Sequence, residues 1–214
     1  MIVSHGRRYI FVHVPKTGGT ALAVALEARA MADDILVGDT PKARRRKRRL
    51  EGVETRGRLW KHSTLSDGIG LYTEAQARGY FVFTLVRNPW DRLVSYYHWL
   101  RDQRFTHPAV DLARALPFPA FLNAFDTRAA IAANPYTSYV RLGREACCNL
   151  FIRLEHLEED LEPLAAHLGF RPGPIERINA SARGRDWRPY YSDKDAEMVG
   201  LLCGGDIARF GYQF

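Results

Sequence analysis

Two segments of this chain share one pattern: an unbroken apolar, β-rich run, a tight turn, and the start of a helix. The first is Tyr9-Ile-Phe-Val-His-Val-Pro-Lys-Thr-Gly-Gly-Thr-Ala-Leu22. The second is Tyr80-Phe-Val-Phe-Thr-Leu-Val-Arg-Asn-Pro-Trp-Asp-Arg-Leu-Val-Ser-Tyr96. A strand that is apolar along its whole length is buried on both faces, the situation of a strand inside a parallel sheet covered by helices. The pattern predicts strands over Tyr9–Val14 and Phe81–Val86, with Pro89 in the first turn of the helix that follows the second strand. Leu93, Tyr96, Tyr97 and Leu100 then mark an apolar stripe at helical spacing. Further strands are predicted over Arg58–Lys61, ending at His62, and over Asn149–Arg153. Helices are predicted over Leu71–Arg78, Pro117–Phe125, Glu155–Leu168 (stopped by Gly169) and Asp193–Cys203. Strands separated by helices place the chain in the α/β class with a parallel sheet. No internal repeat or linker splits it, so one domain over 1–214 is expected.

Composition narrows the function classes. An apolar fraction of 46% and an aromatic fraction of 12% suit a globular domain. There is no run of eighteen apolar residues to cross a membrane, and the N-terminal stretch leads straight into a strand without a signal-peptide core. Three cysteines, with Cys147 and Cys148 adjacent, do not make a disulfide framework. These features point to a reduced, cytoplasmic protein. No Cys/His cluster has metal-ligand spacing, so no metal is expected. The net charge of +7 has a local origin. Lys42, Arg44, Arg45, Arg46, Lys47, Arg48 and Arg49 crowd into a polar insertion over about 38–58, and setting those seven aside leaves 24 basic residues against 24 acidic ones. A neutral body with one basic segment argues against a nucleic-acid-binding surface. Mutual repulsion favours an open, solvated run in an exposed excursion, partly helical through the arginines. Such a run is compatible with an idle loop, a clamp for an anionic acceptor, or peripheral contact with an anionic membrane.

Each turn has the makings of a phosphate site. In the first, Gly18 and Gly19 let backbone N–H groups approach an anion at a helix start, with Thr17, Thr20 and Lys16 as added donors. This is not a Walker A loop, in which the lysine follows the glycines; here Lys16 precedes them. A magnesium-dependent phosphoryl transferase also wants an acid at a neighbouring strand end, where this chain has Arg87. In the second turn, Arg87 and Ser95 are candidates to converge on one phosphate. Asp91 reads as the helix cap and Arg92 as an ordinary ion-pairing residue. Arg92, Ser95 and Trp99 share a helix face turned away from the Leu93/Tyr97/Leu100 stripe.

These two segments resemble the signatures of the sulfotransferases that use 3′-phosphoadenosine 5′-phosphosulfate (PAPS), and most resemble sulfotransferase family 2, the carbohydrate type. The likeness continues weakly through Phe151-Ile-Arg-Leu-Glu-His-Leu157 and the Asp206–Tyr212 ending, while residues from about 30 to 58 have no counterpart. The resemblance implies a P-loop NTPase-like three-layer fold with a central parallel β-sheet flanked by helices. It implies that Lys16, Thr17, Gly18, Gly19, Thr20 and Ala21 hold the 5′-phosphosulfate, and that Arg87 and Ser95 hold the 3′-phosphate. It further implies a hydroxyl acceptor of carbohydrate type and a histidine or glutamate base, here His62 after the short predicted strand. His13, inside the first strand, is the rival and reads better as a packing residue; His98 and His107 read as exposed. In the implied reaction His62 takes the acceptor proton and Lys16 steadies the leaving phosphate, yielding a sulfate ester and 3′-phosphoadenosine 5′-phosphate (PAP). A late basic loop of such enzymes closes over the nucleotide, which would bring in Arg183. The alternatives are a small-molecule kinase, or a nucleotide- or polyanion-binding module without catalysis.

Overall fold

The computed structural model describes residues 1–175, 184 and 186–214; Arg183 lies outside the described residues. In chain order the elements are β1 (Ile2–Ser4), β2 (Tyr9–Val12), α1 (Gly19–Ala28), β3 (Ile35–Leu36), α2 (Pro41–Arg46), α3 (Glu74–Gly79), β4 (Phe81–Val86) and α4 (Pro89–Arg101). They continue with α5 (Pro108–Ala115), α6 (Phe118–Asn123), α7 (Phe125–Ala133), β5 (Arg141–Leu142), β6 (Glu145–Ala146) and β7 (Leu150–Arg153). The last are α8 (Leu157–Asp160), α9 (Glu162–Leu168), α10 (Asp193–Leu202) and α11 (Gly204–Phe210). The chain divides into two compact units, Met1–Val86 with Tyr136–Ile178, and Arg87–Pro135 with Asn179–Phe214.

The first unit carries a five-stranded sheet in the order β3-β1-β2-β4-β7. Its heart is parallel: Tyr9–Val12 runs beside Phe81–Thr84, and Phe83–Val86 beside Leu150–Arg153. The edge made by β1 and β3 is antiparallel. Side chains alternate between two buried faces, as period-2 geometry requires. Tyr9, Phe11, Phe83, Leu85 and Ile152 pack with Leu22 and Leu26 of α1 and Leu164 of α9. Ile10, Val12 and Val82 pack on the other face with Ala77 of α3 and with Leu65, Leu71 and Tyr72. Double coverage explains why β2 and β4 read as continuous apolar runs. The fold is therefore α/β, with a mostly parallel central sheet flanked by helices.

The second unit is helical among its described residues. The stripe of Leu93, Tyr97 and Leu100 on α4 is buried with Val110, Phe118, Phe121 and Val199. The indole N–H of Trp90 donates to Ala196 O at 3.0 Å, and Tyr97 Oη donates to Leu116 O at 2.9 Å, so each buried aromatic polar atom is satisfied.

Several predicted elements need correction. Arg58–Lys61 is not a strand; the sheet edge is supplied instead by β1 and β3. Its polar backbone is used locally, where the buried Ser63 hydroxyl bonds to Arg58 O and Trp60 O, tying the segment into a turn. The Pro117–Phe125 helix breaks at Ala124, which has extended backbone and caps α7. The Glu155–Leu168 helix is interrupted at Leu161, and Pro163 restarts it inside the first turn of α9, where a missing N–H is harmless. Gly169 at φ 72° ends α9 as expected. The basic run is largely exposed and helical through its arginines, as expected, but it is tied down at one side. It forms α2 and a following 3-10 turn over Lys47–Leu50. No described helix is long and apolar enough to cross a membrane.

Candidate active site

The first turn leaves β2 at Val12 and enters α1 at Gly19. Lys16 sits in the left-handed region at φ 66° and Gly18 at φ 84°. For lysine that conformation costs about 1–2 kcal/mol, and strain of this kind gathers where a loop is shaped for a ligand. The turn is braced from within: the buried Thr17 hydroxyl donates to Val14 O at 2.9 Å, and Ala21 N donates to Gly18 O at 3.1 Å. Gly19 is required by packing, because a Cβ there would stand 2.3 Å from His13 Cδ2. The start of α1 is left open. It has no side-chain cap and no acid in its first turn. α2, α3, α4, α5 and α10 each begin under a side chain that accepts from a first-turn amide, whereas α6, α7, α8, α9 and α11, like α1, do not. Open first-turn amides and the positive end of the helix dipole favour an anion, and Lys16, half-buried in the same turn, adds full positive charge.

His62 lies against this turn although no strand delivers it. It stands on the turn closed by Ser63 N donating to Trp60 O at 3.0 Å. Its Nδ1 is 2.8 Å from His13 O. A carbonyl only accepts, so Nδ1 carries the proton in the neutral ring and Nε2 keeps its lone pair. The rings of His62 and His13 meet edge to face at 4.7 Å between centroids, and those of His62 and Trp60 at 4.9 Å. Burial pushes the His62 pKa down to about 4, helped by the nearby Lys61 ammonium and opposed by the bond to His13. Burial likewise drives His13 well below its ordinary value, with the charge of Lys16 acting in the same direction. Both rings are therefore neutral at pH 7. His13 is stacked on Phe11 and filled in behind Gly19, the packing role expected of it.

At the second turn β4 ends at Val86 and Arg87 follows. Arg87 Nε and Nη2 both donate to Asp91 Oδ2, at 2.9 and 2.6 Å. The cap of α4 is Asn88, whose Oδ1 accepts from Trp90 N at 3.1 Å, rather than Asp91. Asp91 is instead the carboxylate that orients the Arg87 fork. Ser95 is more deeply buried than the expected face implied, while Arg92 and Trp99 on that face are half-buried. His107 is exposed and caps α5, but His98 is half-buried, with Nε2 2.9 Å from Tyr190 Oη. Sequence reasoning missed Trp60, half-exposed beside His62, because a tryptophan in a predicted strand gives no sign that its ring faces solvent. Among the described residues no group of three or more His, Cys, Asp or Glu side chains is placed to hold a metal ion.

Comparison with known proteins shows the family. The pattern of the sulfotransferase family matches residues 1–139, a span that includes both turns and His62. The chain belongs to the sulfotransferase family, and as a member it is an enzyme of the sulfuryl-transferring class. No curated protein sequence matches it. Among solved structures it is similar to mouse sulfotransferase SULT7A1 complexed with PAP, with 19% identity and a TM-score of 0.51 over 93% of this chain and 83% of that one. At that identity the likeness is one of fold.

Proposed function

We propose that the protein transfers the sulfuryl group of PAPS to a hydroxyl of a carbohydrate acceptor, with His62 as general base and residues 1–214 serving as one sulfotransferase domain. The observation that carries this reading is the open start of α1 beside a histidine whose Nδ1–H is committed to a backbone carbonyl. The first suits a phosphate or phosphosulfate; the second leaves Nε2 to receive a proton.

In this reading Lys16, Thr17, Gly18, Gly19, Thr20 and Ala21 hold the 5′ end of PAPS, and Arg87 and Ser95 take its 3′-phosphate. The donor supplies an activated S–O bond. The uncapped amides, the exposed Gly18 and the absence of any first-turn acid fit a multiply charged anion. As the acceptor oxygen bonds to sulfur, its proton passes to His62 Nε2, and the S–O bond to the 5′-phosphate breaks with its electron pair on the phosphate. Lys16 and the loop amides stabilise that growing charge. The products are a sulfate ester and PAP. A PAP-complexed relative of the same fold supports the donor assignment.

Calorimetric titration tests it. Metal-independent binding of PAP that is weakened in Arg87→Ala is the expected result. Preference for ATP with magnesium would overturn the reading in favour of a kinase. PAP binding with unchanged turnover in folded His62→Ala would remove the base assignment.

A further inference from the structure

His13 is buried beside the first turn, yet the proposed reaction gives it no proton to move. It stands one residue past β2, where three successive carbonyls each accept from a side chain. Val12 O accepts from the Thr84 hydroxyl at 2.7 Å, His13 O from His62 Nδ1 at 2.8 Å, and Val14 O from the Thr17 hydroxyl at 2.9 Å. The carbonyl that holds the base is thus fastened on one side to the central strand β4 and on the other to the turn that enters α1. Thr17 and Thr84 are both fully buried, so water does not compete for either bond.

The His13 ring makes a second link. It fills the space behind Gly19, the first residue of α1: a Cβ there would stand 2.3 Å from Cδ2 and 2.6 Å from Nε2. The same ring meets the His62 ring edge to face at 4.7 Å between centroids, and the fully buried Phe11 stacks on it at 5.8 Å. Close-packed groups pass a displacement to their neighbours instead of absorbing it. We propose that His13 is a positioning residue that couples the donor turn to the base: its ring passes the position of the α1 start to the His62 ring, and its carbonyl sets the His62 tautomer. The Nε2 that receives the acceptor proton is then aimed correctly only when the start of α1 is seated, so that donor site and base are set together. This rests on the reading of His62 as base and of the α1 start as donor site. A disturbance at Gly19 reaches His62 through the His13 ring, and removing the ring breaks the path.

The test is a double-mutant cycle between His13 and Gly19. It is read at His62 by ring-nitrogen NMR of labelled histidine, assigned by the signal lost in His62→Gln, and at the donor turn by PAP calorimetry. Thermal unfolding checks that each variant is folded, and His13→Val takes the place of His13→Ala if the latter unfolds. Wild-type protein is expected to show one His62 tautomer, protonated at Nδ1. Gly19→Ala should shift the His62 ring signals and weaken PAP binding. In His13→Ala/Gly19→Ala the His62 signals should match those of His13→Ala alone, and PAP affinity should be about tenfold above that of Gly19→Ala. His62 signals unmoved by Gly19→Ala overturn the proposal. So does additivity, with Gly19→Ala moving His62 as far without the His13 ring as with it; either result leaves the nucleotide and base readings standing. Wild-type protein that fails to bind PAP, or folded His62→Ala with unchanged turnover, overturns the reading beneath the proposal, and the proposal falls with it.

Discussion

The two turns follow parallel strands of the same kind, yet their helices begin in opposite ways. α1 starts on Gly18 with no cap and no acid, and its one local charge is Lys16. α4 starts under Asn88, with Pro89 in its first turn and Asp91 already engaged by Arg87. In the proposed reading the first turn is an anion site made of backbone, without a side-chain cap or a first-turn acid. The second is a side-chain site whose cation is held in place by its own carboxylate. A phosphate at α1 meets open amides, whereas a phosphate at Arg87 must share the guanidinium with Asp91. The first should therefore be sensitive to small changes of backbone and packing, and the second to changes of charge.

The largest effect is expected at the first turn. Gly19→Ala drives a methyl into the His13 ring, and displacing that ring also moves the carbonyl that holds His62. Overpacking of this kind costs about 1–3 kcal/mol, and PAP binding by calorimetry should fall to the limit of detection. Near-native PAP affinity in Gly19→Ala would show that the turn adapts and is not set by packing. His62→Ala comes next. Turnover should drop by about 10²–10⁴ with PAP affinity within about twofold, which would separate the base from the nucleotide contacts.

The second turn should respond more gently. Arg87→Ala is expected to weaken PAP binding by about 1.5–3 kcal/mol. Asp91→Ala should weaken it less, by releasing the fork from its fixed direction; tighter PAP binding in Asp91→Ala would mean that the carboxylate competes with phosphate instead of orienting the arginine. The smallest effect is the loss of the α4 cap. Asn88→Ala should lower stability by about 1 kcal/mol in thermal unfolding, a clean contrast with Gly19→Ala because PAP affinity should hardly change.

Both buried histidines add a pH dependence. Their pKa values are lowered in the fold, so between the unfolded value near ~6.5 and the lowered ones the unfolded chain binds more protons. The contribution of these histidines to stability should therefore be constant above about pH 6.5 and fall as pH drops toward the His62 value of about 4. Activity that needs neutral His62 should likewise persist well below pH 6.5. An acid limb of kcat/KM centred near ~6.5 would mean that the base is a more exposed group than His62.

Much of this was legible in the residues. The run of Phe81–Val86 is β4 to the residue, because a strand buried on both faces favours apolar side chains throughout, and its one hydroxyl, on Thr84, is satisfied by Val12 O. The stripe on α4 and the stop at Gly169 followed from periodicity and from the left-handed preference of glycine. The edge strands were not legible. β3 is two residues long, and its pairing with β1 depends on a partner far along the chain. The cap of α4 was misread because Asn88 and Asp91 are both good cap residues, and only the position of Arg87 decides between them. The exposure and partial helicity of the basic run were legible, but its anchoring was not, because repulsion among its cations is visible in the sequence while the carbonyls at 27–34 that tie it down are not.

By itself the sequence determined the α/β class, the central strands, the two turns and the family. It could do so because these depend on short-range patterning of apolar residues, glycine and charge. Only the tertiary structure decided which proton His62 carries. That follows from a hydrogen bond to His13 O across a separation of 49 residues, and nothing local to His62 specifies it. The same holds for the division of the basic run into bound and exposed cations: each arginine has the same chemistry in the sequence, and only the carbonyls within its reach distinguish one from the next.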